Sequence, residues 1–397
     1  MKILMLTPYL PYPPASGGQI RTLYLLKYLG KQHEITLVSL YKSENEKKYA
    51  KYLDPYCKRV YLCKRATRPW QPGNIIKAIF SLLPFLVVRN FSKEAEATVT
   101  QLLQEEHFDV IHAETFYIMP HIPDTDTPIL LVEQTIEFKV YQHFISSLPF
   151  FIRYPLWIDI LKLKYWEQFF WKKADMVATM SESDKDQINK LLPEISPVII
   201  PNGAGDEMFV DTLSEPDLEK PILLFVGNFF WLQNVEAAEY LLEKIFPVIR
   251  QKFPNMKLVI AGQNSNKLKK IAPKNVSIIN LAPNDGERVK ELYHSATLFI
   301  APIFGPGGTR LKILASMASG LPVVSTQTGV EGLEVKDDKH VLIAHSPEEF
   351  VIKTEKILED LDLYKKIQKN AFEHVKTNYS WPALADKLEK VYRKITK

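Results

Sequence analysis

Short apolar runs alternate with longer segments of helical periodicity through both halves of the chain, the pattern left by parallel sheets covered with helices. In the first half KILML (2–6), EITLVSL (34–40), RVYLC (59–63), DVIHA (109–113), ILLVE (129–133) and MVATM (176–180) read as strands. PVIIPNG (197–203) closes that set with Pro and Asn-Gly, and the polar stretch 203–220 follows without periodicity. The pattern then restarts with ILLFVG (222–227), KLVIAG (257–262), VSIIN (276–280), LFIAP (298–302) and PVVST (322–326). The expected fold class is α/β with two units, a size that 397 residues with 46% apolar content can support with two cores. In open parallel sheets a ligand lies beyond the carboxyl ends of the strands, so chemistry is expected just after each strand.

Charge and cysteine content exclude several classes. Fifty Lys and Arg stand against 46 Asp and Glu, a net charge of +4 that demands no nucleic acid partner. Two cysteines, Cys57 and Cys63, are too few for a disulfide framework; their spacing predicts one shared strand face and reduced thiols in a cytosolic protein. The apolar start before Pro8 is shorter than the roughly 7 to 15 residues of an export signal. The longest apolar run, Ala78 to Val88, contains Pro84 and falls well short of the roughly 20 residues a membrane-spanning helix needs.

Two glycine-rich loops follow strands. TPYLPYPPASGGQ (7–19) ends in Gly17 and Gly18 and opens a helix expected over 20–29, where backbone N–H groups and the helix dipole can face a phosphate or sugar. The same glycines also suit a simple turn. The second, FGPGGTRLKILASMASGLP (304–322), places Gly307 and Gly308 before Thr309 as N-cap, with Gly320 suited to the position past the helix end and Pro322 as the stop. Arg310 and Lys312 occupy its first turn, where cations oppose the dipole unless an anion sits between them. Diphosphate is the natural guest, because arginine offers a planar fork and lysine a point charge. A solvated basic helix start is the plainer alternative.

GGTRLKILASMASGLPVVSTQTGVEGL, with FVGNFFWLQNVEAAEYLLEKIFPVIRQKFPNMKLVIAG upstream, IIPNG before it and MKILMLTPYLPYPPASGGQIR at the start, resembles the GT-B-fold glycosyltransferases of the retaining family 4. The resemblance implies two Rossmann-like domains whose parallel sheets face a central cleft: an acceptor-binding domain over 1–200, rejoined by a last helix at 381–397, and a donor-binding domain over 201–380. It implies a nucleotide-diphospho-sugar donor with no metal or other cofactor, the leaving diphosphate being neutralised by Arg310, Lys312 and the helix dipole. Gly17, Gly18, Gly227, Asn228, Gly307, Gly308 and Thr309 fall on donor-side positions. Many relatives carry their basic pair after the first strand of the second domain; here that region holds Gly227, Asn228 and Asn234, so the positive charge is read as relocated to the helix at 310.

The resemblance also exposes a departure. Relatives have two glutamates eight residues apart, the second on the ribose hydroxyls, at positions that hold Gly307 and Ala315 here. Glu331, beyond PVVST, is the candidate substitute, although it can equally cap the next turn. In the first domain His112 and Glu114 share one side of their strand and are read as catalytic residues aimed at the acceptor, and Glu133 and Glu137 resemble the acidic loop that lines the acceptor side in the family. A histidine at a strand end is otherwise a packed one. Residues 144–173 concentrate aromatics among basic residues, a surface suited to rest on the inner face of a bilayer or to grip a lipid-linked acceptor; the spacing equally fits a core helix with one buried stripe and one wet edge. The reading is a retaining hexosyltransferase acting on a glycan or lipid-linked acceptor in cell-surface polysaccharide synthesis. The absent glutamates motivate the rival, a non-catalytic sugar-nucleotide-binding or scaffold subunit. A nicotinamide dehydrogenase has no support, since neither loop has the G-x-G-x-x-G spacing.

Overall fold

The first strand, Lys2–Thr7 (β1), has five consecutive residues with no exposed surface after Lys2, which is what a strand covered on both faces requires. It pairs in parallel with Glu34–Tyr41 (β2) on one side and Val110–Glu114 (β4) on the other. Arg59–Lys64 (β3), Ile129–Glu133 (β5), Met176–Thr179 (β6) and Val198–Ile199 (β7) complete a parallel sheet in the order β3-β2-β1-β4-β5-β6-β7. A second parallel sheet contains Ile222–Val226 (β8), Lys257–Gly262 (β9), Val276–Asn280 (β10), Leu298–Ala301 (β11), Val323–Ser325 (β12) and Leu342–Ile343 (β13), ordered β10-β9-β8-β11-β12-β13. These two Rossmann-like sheets match the expected α/β class. This computed structural model describes residues 1–68, 70–146, 148–270, 273, 276–283, 285–305 and 311–396.

The chain forms two compact units, Met1–Pro201 with Ala385–Lys397, and Asn202–Leu384. The helix Trp381–Ile395 runs from the second into the first, and its Tyr392 is fully buried there. Unit 1 packs Leu4, Leu6, Ile111, Leu131 and Trp171 into its core; unit 2 packs Leu224, Phe225, Phe246, Phe299 and Leu314. Serine N-caps start several helices: the Ser16, Ser92, Ser181 and Ser346 side chains each accept a backbone N–H three residues on.

Some boundaries differ from expectation. The first helix runs over Gly17–Leu29, three residues earlier than read from the pattern, because Ser16 caps it and the glycines become its first turn. Cys57 lies ahead of β3, so the two cysteines share no strand face; both are free and buried, and burial pushes their thiols up to about 12 and about 11. β13 has two residues, too few for any periodic signal. The helix Leu311–Ala318 is followed by Gly320 at φ 71°, the left-handed conformation expected past its end. The long aromatic helix Phe150–Lys173 buries Leu163, Glu167, Phe170 and Trp171, but its opposite edge is apolar as well, with Ile158, Leu161, Tyr165 and Phe169 exposed. Among the described residues no helix is long and apolar enough to cross a membrane.

Candidate active site

The carboxyl ends of β1, β4 and β5 in unit 1 meet over a buried polar network. The His112 Nε2–H donates to Glu114 Oε1 (2.9 Å), which leaves Nδ1 to accept the Tyr392 hydroxyl (2.5 Å). Arg21 Nε lies 3.6 Å from the same carboxylate, and Gln134 Nε2 donates to its other oxygen at 2.6 Å. Arg21 also donates to the carbonyls of Ile200 (3.1 Å) and Pro201 (2.9 Å). Burial raises the Glu114 carboxyl, but the bond from His112 and the charge of Arg21 outweigh it and hold it below its ordinary value. His112 and Glu114 do share one side of the strand, yet neither has exposed surface. The expectation that they face an acceptor is therefore corrected: they tie the last helix and the chain near Pro201 to the sheet.

Gly18 sits at the edge of this network. A Cβ there would stand 1.8 Å from the Tyr9 hydroxyl and 2.4 Å from Gln134 Oε1, so only glycine admits the Tyr9 to Gln134 bond (3.0 Å) across the helix start. Gly17 opens the same helix.

Glu133 departs from its expected lining role, being buried under the aromatic helix. Its Oε1 accepts the Trp171 indole N–H (2.8 Å), its Oε2 has no hydrogen-bond partner among the described residues, and burial holds it well above the carboxylate range. Glu167, fully buried on that helix, accepts the backbone N–H groups of Glu137 (2.7 Å) and Phe138 (2.9 Å) and so caps Glu137–Ser146. Glu137 is half-buried. Burial pushes its carboxyl up to about 7 against the opposing pull of Arg89 and a bond from the Thr135 hydroxyl (3.3 Å). Tyr117, Tyr141, Glu133 and Glu167 also face it. Between pH about 4.5 and about 7 the folded chain holds a proton that the unfolded chain has released, so this group's contribution to stability falls as pH rises through that window. Glu137→Gln should be less destabilised than wild type on raising pH from 5 to 8, by on the order of 2 to 3 kcal/mol. Urea denaturation at the two pH values checks this; parallel losses in both proteins would refute it.

In unit 2 the loop after β8 carries Gly227 and Asn228, and the helix Leu232–Tyr240 that it opens carries Asn234 in its first turn. Lys312, one residue into the helix Leu311–Ala318, reaches that first turn: its ammonium donates to Asn234 Oδ1 (2.5 Å) and lies 4.9 Å from the Phe225 ring centroid. Asn234 Nδ2 donates to the Asn228 carbonyl (2.8 Å), and Asn228 Oδ1 accepts the Phe230 N–H and Asn264 Nδ2, both at 3.0 Å. An open cleft of about 650 Å³ adjoins them, lined by Phe229, Phe230, Gln263, Asn264, Asn280 and Pro283 among others. Its volume suits a nucleoside. Gln263 and Asn264, directly after β9, were not singled out in the sequence; their strand-end position was the available signal.

Gly307, Gly308, Thr309 and Arg310 lie outside the described residues. Glu331 is exposed just past the 3₁₀ turn Thr328–Val330 that follows β12, and Ala315 is partly buried against the core. Among the described residues no group of three or more His, Cys, Asp or Glu could hold a metal ion.

Two Rossmann-like parallel sheets in one chain are the architecture of the GT-B fold. The family model "Glycosyltransferase Family 4" matches residues 15–207 and "Glycosyl transferases group 1" matches 220–360. The chain belongs to the group 1 glycosyltransferases. An uncharacterized 44.6 kDa protein in the cps region of Klebsiella pneumoniae is 27% identical over 394 residues, covering 95% of this chain and 96% of that protein. Among solved structures, sucrose-phosphate synthase from Thermosynechococcus elongatus superposes with TM-score 0.73 at 16% identity, covering 99% of this chain and 98% of that one. Anabaena HepE in complex with UDP and glucose gives 0.65 at 12%, covering 99% and 100%.

Proposed function

We propose that this glycosyltransferase moves a hexose, with retention of configuration and without a metal, from a nucleotide-diphospho-sugar held by unit 2 to a glycan or lipid-linked acceptor held by unit 1. The observation that carries the reading is the Lys312 ammonium, delivered from its helix to the polar segment after β8 beside a nucleoside-sized cleft. As the bond from sugar to diphosphate breaks, charge grows on the phosphate oxygens. A preorganised cation stabilises that charge, with Arg310 as its proposed partner. Likeness to a UDP-bound structure supports a uridine nucleotide, and likeness to a cps-region protein supports surface polysaccharide synthesis at the cytoplasmic face of the membrane.

A thermal-shift screen tests the donor: a nucleotide at 100 times its dissociation constant should stabilise the fold by about 2.7 kcal/mol. Sugar-nucleotide should release free nucleotide slowly without acceptor, and EDTA should leave that rate unchanged. Binding without release would favour the non-catalytic rival, which Ala315 at the usual ribose-carboxylate position motivates. Ala315→Glu should tighten nucleotide binding by calorimetry if the ribose lies beside this helix.

The exposed apolar surface on unit 1 supports membrane contact. Phe80, Leu82 and Phe150 are 85%, 84% and 81% exposed, and Lys77, Lys164 and Lys172 lie on the same two helices as Phe80 and Phe150. The protein should co-sediment with anionic liposomes and be released by salt, because the attraction is screened within about 10 Å at 0.1 M ionic strength. No sedimentation at low salt would refute it.

A further inference from the structure

Three cations, Lys42, Arg65 and Arg89, converge at the carboxyl edge of β2 and β3. The register pairs Tyr41 with Lys64, and the Arg65 N–H donates to the Tyr41 carbonyl (3.0 Å), so Lys42 and Arg65 leave neighbouring strand ends side by side. The Thr67 hydroxyl pins this turn by donating to the Lys42 carbonyl (2.9 Å). Arg65 Nη1 donates to Asn90 Oδ1, and Asn90 is itself fixed by donating to the Leu86 carbonyl (2.8 Å). That places the guanidinium against the end of the helix Phe85–Asn90, whose penultimate residue is Arg89. The Arg89 guanidinium lies 5.7 Å from the Phe85 ring centroid and faces the Tyr141 hydroxyl.

Three carboxylates neighbour the cluster, Glu46 acting on Lys42 and Arg65, and Glu137 and Asp159 on Arg89. Glu46 accepts the Lys42 backbone N–H (3.1 Å), and Asp159 accepts the Phe85 N–H (2.8 Å). Arg65 Nε is buried with no hydrogen-bond partner among the described residues. Burial lowers the basicity of both Lys42 and Arg65, and repulsion from neighbouring cations lowers it further, Arg65 and Arg89 acting on Lys42 and Arg89 on Arg65, against the pull of Glu46 on both and of Tyr117 on Arg65. An anion with several acceptor oxygens would bridge the three cations and satisfy Arg65 Nε. Tyr9 and Tyr117 stand beside Arg65, and Glu137 faces Arg89, so the cations border the ends of β1, β4 and β5 as well.

We propose that Arg65, Arg89 and Lys42 bind a phosphate group carried by the acceptor. This rests on the reading of unit 1 as the acceptor domain and adds the acceptor's chemical class. The apolar surface next to the cluster favours a lipid diphosphate: Trp70 stacks on Phe85 at 4.8 Å, and the adjoining helix Pro72–Phe80 exposes Ile76, Ile79 and Phe80.

Calorimetry with inorganic pyrophosphate and with geranyl diphosphate, at constant ionic strength, tests the site. The full chain carries Arg310→Ala and Lys312→Ala throughout, so that neither proposed donor-side cation captures the probe. Both probes should bind, and Arg65→Gln and Arg89→Gln should each weaken them roughly tenfold to a hundredfold. Circular dichroism checks the fold of each variant, and Arg65→Lys should restore part of the affinity through charge without the fork. Tighter binding of geranyl diphosphate than pyrophosphate assigns a lipid-linked acceptor; equal binding assigns a soluble phosphorylated one. No binding, or unchanged affinity in both glutamine variants, would overturn the proposal. Nucleotide binding by the chain with native Arg310 and Lys312 is measured separately, so failure of the donor reading is distinguishable.

Discussion

Lys312→Ala should lower kcat/KM by about 10² to 10³, the loss expected when one preorganised donor is removed from a developing oxyanion. The ammonium is held in place before any ligand arrives, by Asn234 Oδ1 at 2.5 Å and by the face of Phe225. It therefore pays little reorganisation when diphosphate charge appears, and its effect should fall on kcat more than on KM. Stability should change by about 1 to 3 kcal/mol, the scale of one charge-assisted hydrogen bond and one cation–π contact. Asn234→Ala should show a smaller loss, because it releases the lysine without deleting the charge. The same kinetic expectation applies to Arg310→Ala. Steady-state kinetics with matched thermal melts decide the matter: near-native turnover in Lys312→Ala would sink the donor assignment, and a large fall in melting temperature would recast the residue as structural.

Arg21→Ala should destabilise unit 1 by about 3 to 5 kcal/mol, since it strands the Glu114 carboxylate in a site with no exposed surface. Glu114→Ala should cost a similar amount by stranding the guanidinium. The double variant carrying both Arg21→Ala and Glu114→Ala should cost less than the two single changes summed, because no uncompensated charge is then left inside. The acid side has its own signature. Glu114 is held below its ordinary value, so its contribution is present at neutral pH and is lost as pH falls below about 4.5, the opposite sign to Glu137. Urea denaturation of the four proteins measures the cycle; additive costs would show that the pair does not act as a unit.

His112 and Glu114 show where sequence reasoning stops. Period-two alternation places both on one side of β4, which the structure retains, but alternation carries no information on what covers that side. The covering groups are Arg21, 93 residues earlier in the chain, and Tyr392, 280 residues later. Glu133 and Glu137 are four residues apart at one strand end, and helix Phe150–Lys173 buries the first while leaving the second half-open.

The strands, their parallel class and the polar residues just after them were determined by local apolar runs, turn residues and caps, because a doubly covered strand must be continuously apolar and a helix must satisfy its first N–H groups. Reach across the sheet was not. That Lys312 extends to the helix after β8, and that Lys42, Arg65 and Arg89 crowd one sheet edge, follow from strand order β3-β2-β1-β4 and β9-β8-β11, which bring together residues far apart in the chain. Electrostatics acts through space over a few ångströms, so only the tertiary structure decides which charges meet and which carboxylates are withdrawn from water.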